Sequence, residues 1–333
     1  MQNLPSAISN KPSLELIPEL ELEFGFSQSE IELAKELISK GLPPIVRPEI
    51  LAYTFGISNR FIYSMYHSID LHYKIYTIPK ATGGTRQIEA PRRYLKLIQR
   101  WININILATC SLPNVATGFV KGQSIFTNAI PHIQNKNLMV IDLKNFFPTV
   151  SRKQVYQIFK SLGYPQRVNN LMTGLCTYKS RLPQGAPTSP TLANIAFKSV
   201  DLQLLELAKS WGCTYTRYAD DIAFSGNICF THYKLLQITS IIKKSGFVVN
   251  MKKTRIVGDG ARQMLAGLVI NRAALPPRED RRRWRAIFHQ ASLDPNHFAN
   301  DKAKLKGVAS FINQYNPKIA REYWVIANNL PDK

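Results

Sequence analysis

Three aspartates have neighbours that suggest chemistry. Asp142 closes the apolar run Leu138-Met139-Val140-Ile141-Asp142-Leu143, and it is the single acidic side chain between residues 90 and 200, a span with fourteen Lys and Arg. Burying a charge in such a strand pattern is costly unless it is paired or meets a metal. A salt bridge to one of those cations and a metal site are both open readings. Asp220-Asp221 lies between two β-favouring segments, Tyr215-Thr216-Arg217-Tyr218-Ala219 and Ile222-Ala223-Phe224. Adjacent carboxylates repel, so this turn calls for a cation. No glycine follows to make it an ordinary Asp-Gly hairpin turn. Three carboxylates suit hard, octahedral Mg²⁺. Two such ions about 3.5–4 Å apart clamp the attacking and leaving oxygens of an in-line phosphoryl displacement. Asp142 and Asp220 would bridge the pair, with Asp221 contributing less directly.

These residues need a scaffold. Helical spacing runs through Ile31, Leu33, Ala34, Leu37 and Ile38, and residues 46–70 read as one or two further helices. Residues 73–79 and 86–90 read as a hairpin around Ala81-Thr82-Gly83-Gly84-Thr85, with Lys80 and Arg86 at its tip. A helix is expected at 92–109, a buried strand at 138–143, and helices at 151–162 and 167–178. The Pro/Gly-punctuated loop 181–190 leads into a long helix at 189–210. A second hairpin at 213–225 carries Asp220 and Asp221 at its turn. A helix at 231–245, a strand at 246–250 and a strand pair around 254–271 follow. After the linker Leu275-Pro276-Pro277 come helices near 278–291, 301–314 and 317–329. Strand-helix alternation followed by an all-helical tail implies an α+β core with a helical C-terminal module.

Charge narrows the partner. The net charge is +21, and residues 1–36 hold seven glutamates against two lysines, leaving 41 basic against 15 acidic side chains in the rest. A surplus of that size attracts polyanions, of which nucleic acid is the usual one. The acidic head reads as a solvated amphipathic helix. Cys110, Cys176, Cys213 and Cys229 are too scattered for a zinc site or a disulfide framework. There is no apolar run of 18 residues and no basic-then-apolar leader. The expectation is a reduced, cytoplasmic protein with no membrane partner.

Asp142-Leu143-Lys144-Asn145-Phe146-Phe147, the loop Leu182-Pro183-Gln184-Gly185-Ala186-Pro187-Thr188-Ser189-Pro190 and Tyr218-Ala219-Asp220-Asp221 follow one another as polymerase motifs A, B and C do. The chain resembles reverse transcriptases over roughly residues 70–330. The resemblance implies a right-hand polymerase fold. It would have an acidic helical extension (1–40), fingers (41–137 with part of 151–185), a palm of antiparallel sheet plus helices (138–271) and a helical thumb (272–333).

The same resemblance assigns roles. Lys80 and Arg86 would lie over the incoming deoxynucleoside triphosphate, and Gln184 and Gly185 would pack beneath it. Phe147 matches a steric gate against the ribose 2′-hydroxyl, although Phe146 fits a core or gate position equally well. Asn250-Met251-Lys252-Lys253-Thr254 resembles motif D, with Lys253 as proton donor to pyrophosphate. Arg281, Arg282, Trp284 and Arg285 would track duplex phosphates from a thumb helix.

Asn128-Ala129-Ile130-Pro131-His132 resembles the Asn-Ala-x-x-His element of bacterial retron reverse transcriptases. Taken alone, His132 reads as a core-facing or capping residue. Leu265-Ala266-Gly267 stands where the second retron hallmark, Val-Thr-Gly, would fall. The resemblance puts Asn128, His132, Gly267 and Asn271 in the nucleic-acid-binding set. It further implies a cognate structured noncoding RNA serving as template and primer. Synthesis from an RNA 2′-hydroxyl would give branched msDNA, and a separate effector protein would complete an anti-phage system. The length leaves no room for an RNase H domain, so a host nuclease would remove the template. Group II intron and diversity-generating reverse transcriptases, or a non-catalytic RNA-binding scaffold, are the other readings.

Overall fold

The computed structural model describes residues 13–79 and 83–331. Its first helices are α1 (Leu16–Phe24), α2 (Gln28–Ser39), α3 (Pro48–Thr54) and α4 (Asn59–His67). Strands β1 (Tyr73–Pro79) and β2 (Thr85–Pro91) precede α5 (Arg93–Asn105) and α6 (Ile125–Ala129). Strand β3 (Asn137–Asp142) leads to α7 (Phe146–Thr149), α8 (Arg152–Ser161), α9 (Gln166–Cys176) and α10 (Ser189–Ser210). Then come β4 (Thr214–Tyr218), β5 (Asp221–Gly226), α11 (His232–Lys244), β6 (Arg255–Gly258), β7 (Met264–Leu265) and β8 (Leu268–Val269). Helices α12 (Arg278–Leu293), α13 (Lys302–Asn313) and α14 (Pro317–Asn328) close the chain. Ser27 with Glu30, and Ser151 with Gln154, form capping boxes that start α2 and α8 by satisfying amides the helix leaves unpaired.

The chain forms two compact units that interleave along the sequence. The first comprises residues up to Asn114 with Lys144–Leu202 and Ile242–Val248. The second comprises Val115–Leu143, Gln203–Ile241 and Val249 onward.

In the first unit the acidic head is tied down. Ile17, Leu20, Ala34 and Leu37 bury the apolar sides of α1 and α2. Arg47, just before α3, donates to Phe24 O at 2.8 Å and to Glu30 Oε2 at 2.6 Å. That guanidinium holds the Glu30 carboxyl down at about 2. β1 and β2 form an antiparallel hairpin in the register Tyr73↔Pro91 to Pro79↔Thr85.

The second unit is built on an antiparallel sheet in the order β4-β5-β3-β6. Leu138, Val140 and Ala223 from that sheet pack with Phe126, Ala129, Leu265, Leu268 and Ile270. A second cluster joins Phe288, Leu305, Ala309, Ala327 and Leu330 of the C-terminal helices, where Phe288 stacks on Tyr323 at 3.9 Å. Two expectations change. The 246–250 segment is no strand; it makes a single bridge, Val249 to Leu143, because β6 takes the edge of β3 from Asn137↔Gly258 to Val140↔Arg255. The expected strand pair at 254–271 is also divided. β6 joins the main sheet, and β7–β8 is a separate tight hairpin. Its central residues Ala266 and Gly267 both have positive φ, +47° and +83°, as a type I′ turn requires. Among the described residues no helix is long and apolar enough to cross a membrane.

Candidate active site

β3 and β5 carry the acidic residues. They pair from Asn137↔Gly226 to Asp142↔Asp221, so two aspartates face each other across adjoining strands. β4 pairs with β5 out to Tyr218↔Asp221, which leaves Ala219 and Asp220 as the turn. The sequence reading put Asp220 and Asp221 there; in the fold Asp221 is the first residue of β5. Ala219 has φ +57°, a positive φ of the kind that tight two-residue hairpin turns place at their first central position. An L residue adopts that conformation only when its surroundings hold it there. Leu143 N donates to Asp220 O at 2.9 Å, fastening the turn to the end of β3.

Asp142 is buried and fully engaged. Its Oδ1 accepts from Asn250 Nδ2 at 2.8 Å, its Oδ2 from Lys253 Nζ at 3.0 Å, and its carbonyl from Asn250 N at 2.8 Å. The bond to Asp142 holds the Lys253 ammonium above the ordinary lysine range. Burial, then the charges of Asp220 and Asp142, push the Asp221 carboxyl up to about 6 against the opposing pull of Arg255 and Lys253.

The donor set suits divalent cations. It offers hard oxygen ligands only, and Asp221 is raised first by burial and then by the charges of Asp220 and Asp142, both of which a bound cation would offset. Among the described residues the carboxylates do not already close into a ready metal-ligand group, and Asn250 and Lys253 bond both oxygens of Asp142. Lys253 is mostly exposed on a flexible stem, so it can yield its place to another cation.

Asn128 and His132, expected at the RNA, are instead completely buried in the second unit. His132 Nδ1 lies 2.6 Å from Ser225 Oγ and Nε2 lies 2.8 Å from Thr216 Oγ1. Burial pulls its pKa down to about 4, so the ring is neutral. Asn128 Oδ1 accepts from Thr117 Oγ1 at 3.0 Å. Gly267 is exposed at its hairpin tip, whereas Asn271 braces a loop by donating to Asp259 O and Ala261 O. On α12, Arg282 and Arg285 are exposed. Arg281 caps Pro276 O, and Trp284 packs edge-on against Phe311 at 5.6 Å, partly buried instead of free for a nucleic acid.

In the first unit, Arg86 is exposed on β2, and Lys80 lies outside the described residues. Phe146 is buried against Phe197 and Phe247, each at 5.9 Å, whereas Phe147 is partly exposed. The Gln184-Gly185 loop is bound to β2. Gln184 O accepts from Glu89 N at 2.7 Å, and a Cβ on Gly185 (φ +134°) would meet Glu89 O at 2.9 Å. Glu89, buried, pairs with both Nη atoms of Arg181 at 2.6 and 2.9 Å. Nothing in the sequence singles out Glu89 or Gly118, whereas Arg181 and Asn250 fall in the 181–190 loop and the motif D stretch without a role there. A Cβ on Gly118 would lie 2.3 Å from Ala219 N, so this glycine lets the chain run directly behind the aspartate turn.

A sequence model of the family described as reverse transcriptase (RNA-dependent DNA polymerase) matches residues 78–278. The chain is 34% identical over 297 residues to the retron Ec86 reverse transcriptase of Escherichia coli, covering 88% of this chain and 92% of that one. It is 33% identical over 308 residues to the retron Mx65 reverse transcriptase of Myxococcus xanthus (86% and 72%). It is 32% identical over 329 residues to the retron Mx162 reverse transcriptase of the same organism (86% and 67%).

Proposed function

The chain belongs to the reverse transcriptase family and is an RNA-directed DNA polymerase related to the retron enzymes, and on that premise we propose that Asp142, Asp220 and Asp221 form its polymerase centre. The observation that carries this reading is the register Asp142↔Asp221 with Asp220 one residue away in the turn. Two Mg²⁺ ions held there would lower the pKa of the attacking hydroxyl and offset triphosphate charge. Asn250 orients Asp142, and Lys253, already in contact with that carboxylate, delivers a proton to the leaving pyrophosphate. Lys80 and Arg86 meet the triphosphate. Gln184 and Gly185 support the nucleotide, and Phe147 bars a ribose 2′-hydroxyl. Phe146 is committed to the core.

We further propose the division into fingers, palm and thumb. The basic α12 face, with Arg282 and Arg285, is assigned to the template-product duplex. The substrate is a cognate structured RNA that is both template and primer, and the product is branched msDNA extended from an RNA 2′-hydroxyl. A separate effector and a role in anti-phage defence in the cytoplasm complete the assignment. The retron relatives, aligned over most of the chain, favour this over an intron or diversity-generating enzyme. Expression with the upstream DNA tests it. The wild type yields small branched single-stranded DNA, and Asp220→Asn with Asp221→Asn yields none. Product from the double variant, or none from the wild type with its RNA gene present, refutes the assignment.

A further inference from the structure

The buried polar residues behind the aspartates form one directed chain of hydrogen bonds. Asn135 Nδ2 donates to Ser225 Oγ at 3.0 Å, and Thr216 Oγ1 donates to Asn128 O at 3.3 Å. Ser225 thus has its hydroxyl proton free for His132 Nδ1, and Thr216 has a lone pair free for His132 Nε2–H. A neutral imidazole protonated on Nε2 fits both hydroxyls, accepting from Ser225 and donating to Thr216, while Asn128 Nδ2 stays buried without a partner among the described residues. Thr216 and Ser225 lie on β4 and β5, the two strands of the aspartate hairpin. A second brace starts from Asn128. Thr117, which donates its hydroxyl to Asn128 Oδ1, also donates its amide to Arg217 O at 2.9 Å, and Arg217 N donates to Val115 O at 2.8 Å. The 115–118 segment thereby runs beside β4 and ends with Gly118 against the backbone of Ala219.

We propose that Asn128 and His132 are positioning residues of the polymerase centre. They act through Thr216, Ser225 and Thr117 to fix the β4–β5 hairpin so that Asp220 and Asp221 are presented beside Asp142. They do not touch RNA. The proposal rests on the reading of those aspartates as the centre. The hairpin turn and the apolar pattern set the register of β4 against β5; this network adds hydrogen bonds that fix the hairpin more finely within that register.

The test compares His132→Leu, His132→Gln, Thr216→Val and Ser225→Ala with Asp220→Asn. Three readouts are used: single-turnover extension at saturating RNA, Mn²⁺ binding to the protein by electron paramagnetic resonance, and RNA affinity by filter binding. Because displacements of about 1 Å can cost up to about a hundredfold in rate, His132→Leu and Thr216→Val should slow extension by about tenfold or more and weaken Mn²⁺ binding. RNA affinity should stay within about twofold, and His132→Gln should retain more rate than His132→Leu. Should His132→Leu not fold, Ser225→Ala, which deletes one hydroxyl, and Thr216→Val, which replaces one with a methyl, carry the comparison. Wild-type rates and Mn²⁺ binding in those two variants overturn the proposal. So does a His132→Leu protein that loses RNA affinity while keeping its rate. Retained activity in Asp220→Asn would instead overturn the assignment of the centre itself.

Discussion

Asp221→Asn should stabilise the cation-free protein while abolishing synthesis. In the fold the Asp221 carboxyl rises from 3.8 to about 6 through burial and the facing Asp220 and Asp142. A raised carboxylate contributes stability that is complete below 3.8 and lost as the pH climbs through about 6, so the ionised group works against folding at neutral pH. Two pH units correspond to about 3 kcal/mol at pH 7.5, and about half of that at pH 5. For 333 residues melting together, an unfolding entropy of about 0.7 kcal/mol/K makes this a gain of about 4 °C. The assay is thermal denaturation of both proteins in chelator at pH 5 and 7.5, repeated at 7.5 with Mg²⁺. The variant should melt higher in chelator, by more at pH 7.5 than at pH 5, and the wild type should gain more from Mg²⁺ because binding to the folded state alone stabilises it. An Asp221→Asn protein melting at or below the wild type in chelator at pH 7.5 would show that the carboxylates are not in electrostatic conflict.

Other changes separate the parts of the site. Gly118→Ala sets a methyl 2.3 Å from Ala219 N; it should displace the turn and cut the extension rate about a hundredfold, and unchanged kinetics would exclude that close approach. Glu89→Ala leaves the Arg181 guanidinium without its buried partner and should cost about 3 kcal/mol in chemical denaturation, with a raised Km for nucleotide as the Gln184 loop loosens. Phe147→Ala should raise ribonucleotide incorporation with little loss of stability, whereas Phe146→Ala, cut from the Phe197–Phe247 contact, should lose about 3–5 kcal/mol; the reverse pattern would exchange their roles. RNA affinity should fall at least about a hundredfold between 50 and 200 mM salt if six or more phosphates are contacted, and a flat response would remove the electrostatic reading of the +21 charge.

The sequence made the acidic strands legible because their signals are local. The apolar run into Asp142 and the two β-favouring flanks of Asp220-Asp221 each sit within a dozen residues, and the strands formed there. The turn itself lies one residue earlier than the sequence suggests, since Ala219 gives no compositional sign that it can hold φ +57°; tertiary contacts impose that conformation. Partners distant along the chain were hidden for a different reason. Glu89 and Arg181 stand 92 positions apart, and Asp142 and Asn250 stand 108 apart; no periodicity links such pairs. β6 looked like half of a hairpin with its neighbour, but the free edge of β3 offered it a longer ladder. Asn128 and His132 were visible as a motif, yet a short helix around a proline does not reveal which way its side chains point.

The direction they take follows from what the centre must withstand. A buried Asp142, a partly buried Asp221 raised by its neighbours and a left-handed Ala219 are each unfavourable alone. Electrostatic repulsion between the strand ends drives β3 and β5 apart where they carry the aspartates. The farther residues of those strands must therefore supply cohesion, and Leu138, Val140 and Ala223 do so through the apolar cluster. Apolar contacts resist a full one-residue slip but hold small displacements of the hairpin less tightly than hydrogen bonds do. A hydrogen-bonded imidazole between Thr216 and Ser225 restricts that remaining freedom, because its two bonds tie β4 and β5 to one ring. The polar core is thus the counterpart of the charged site: loosening the core should cost the site its rate and cation affinity, whereas neutralising Asp221 relieves the core of the repulsion it opposes.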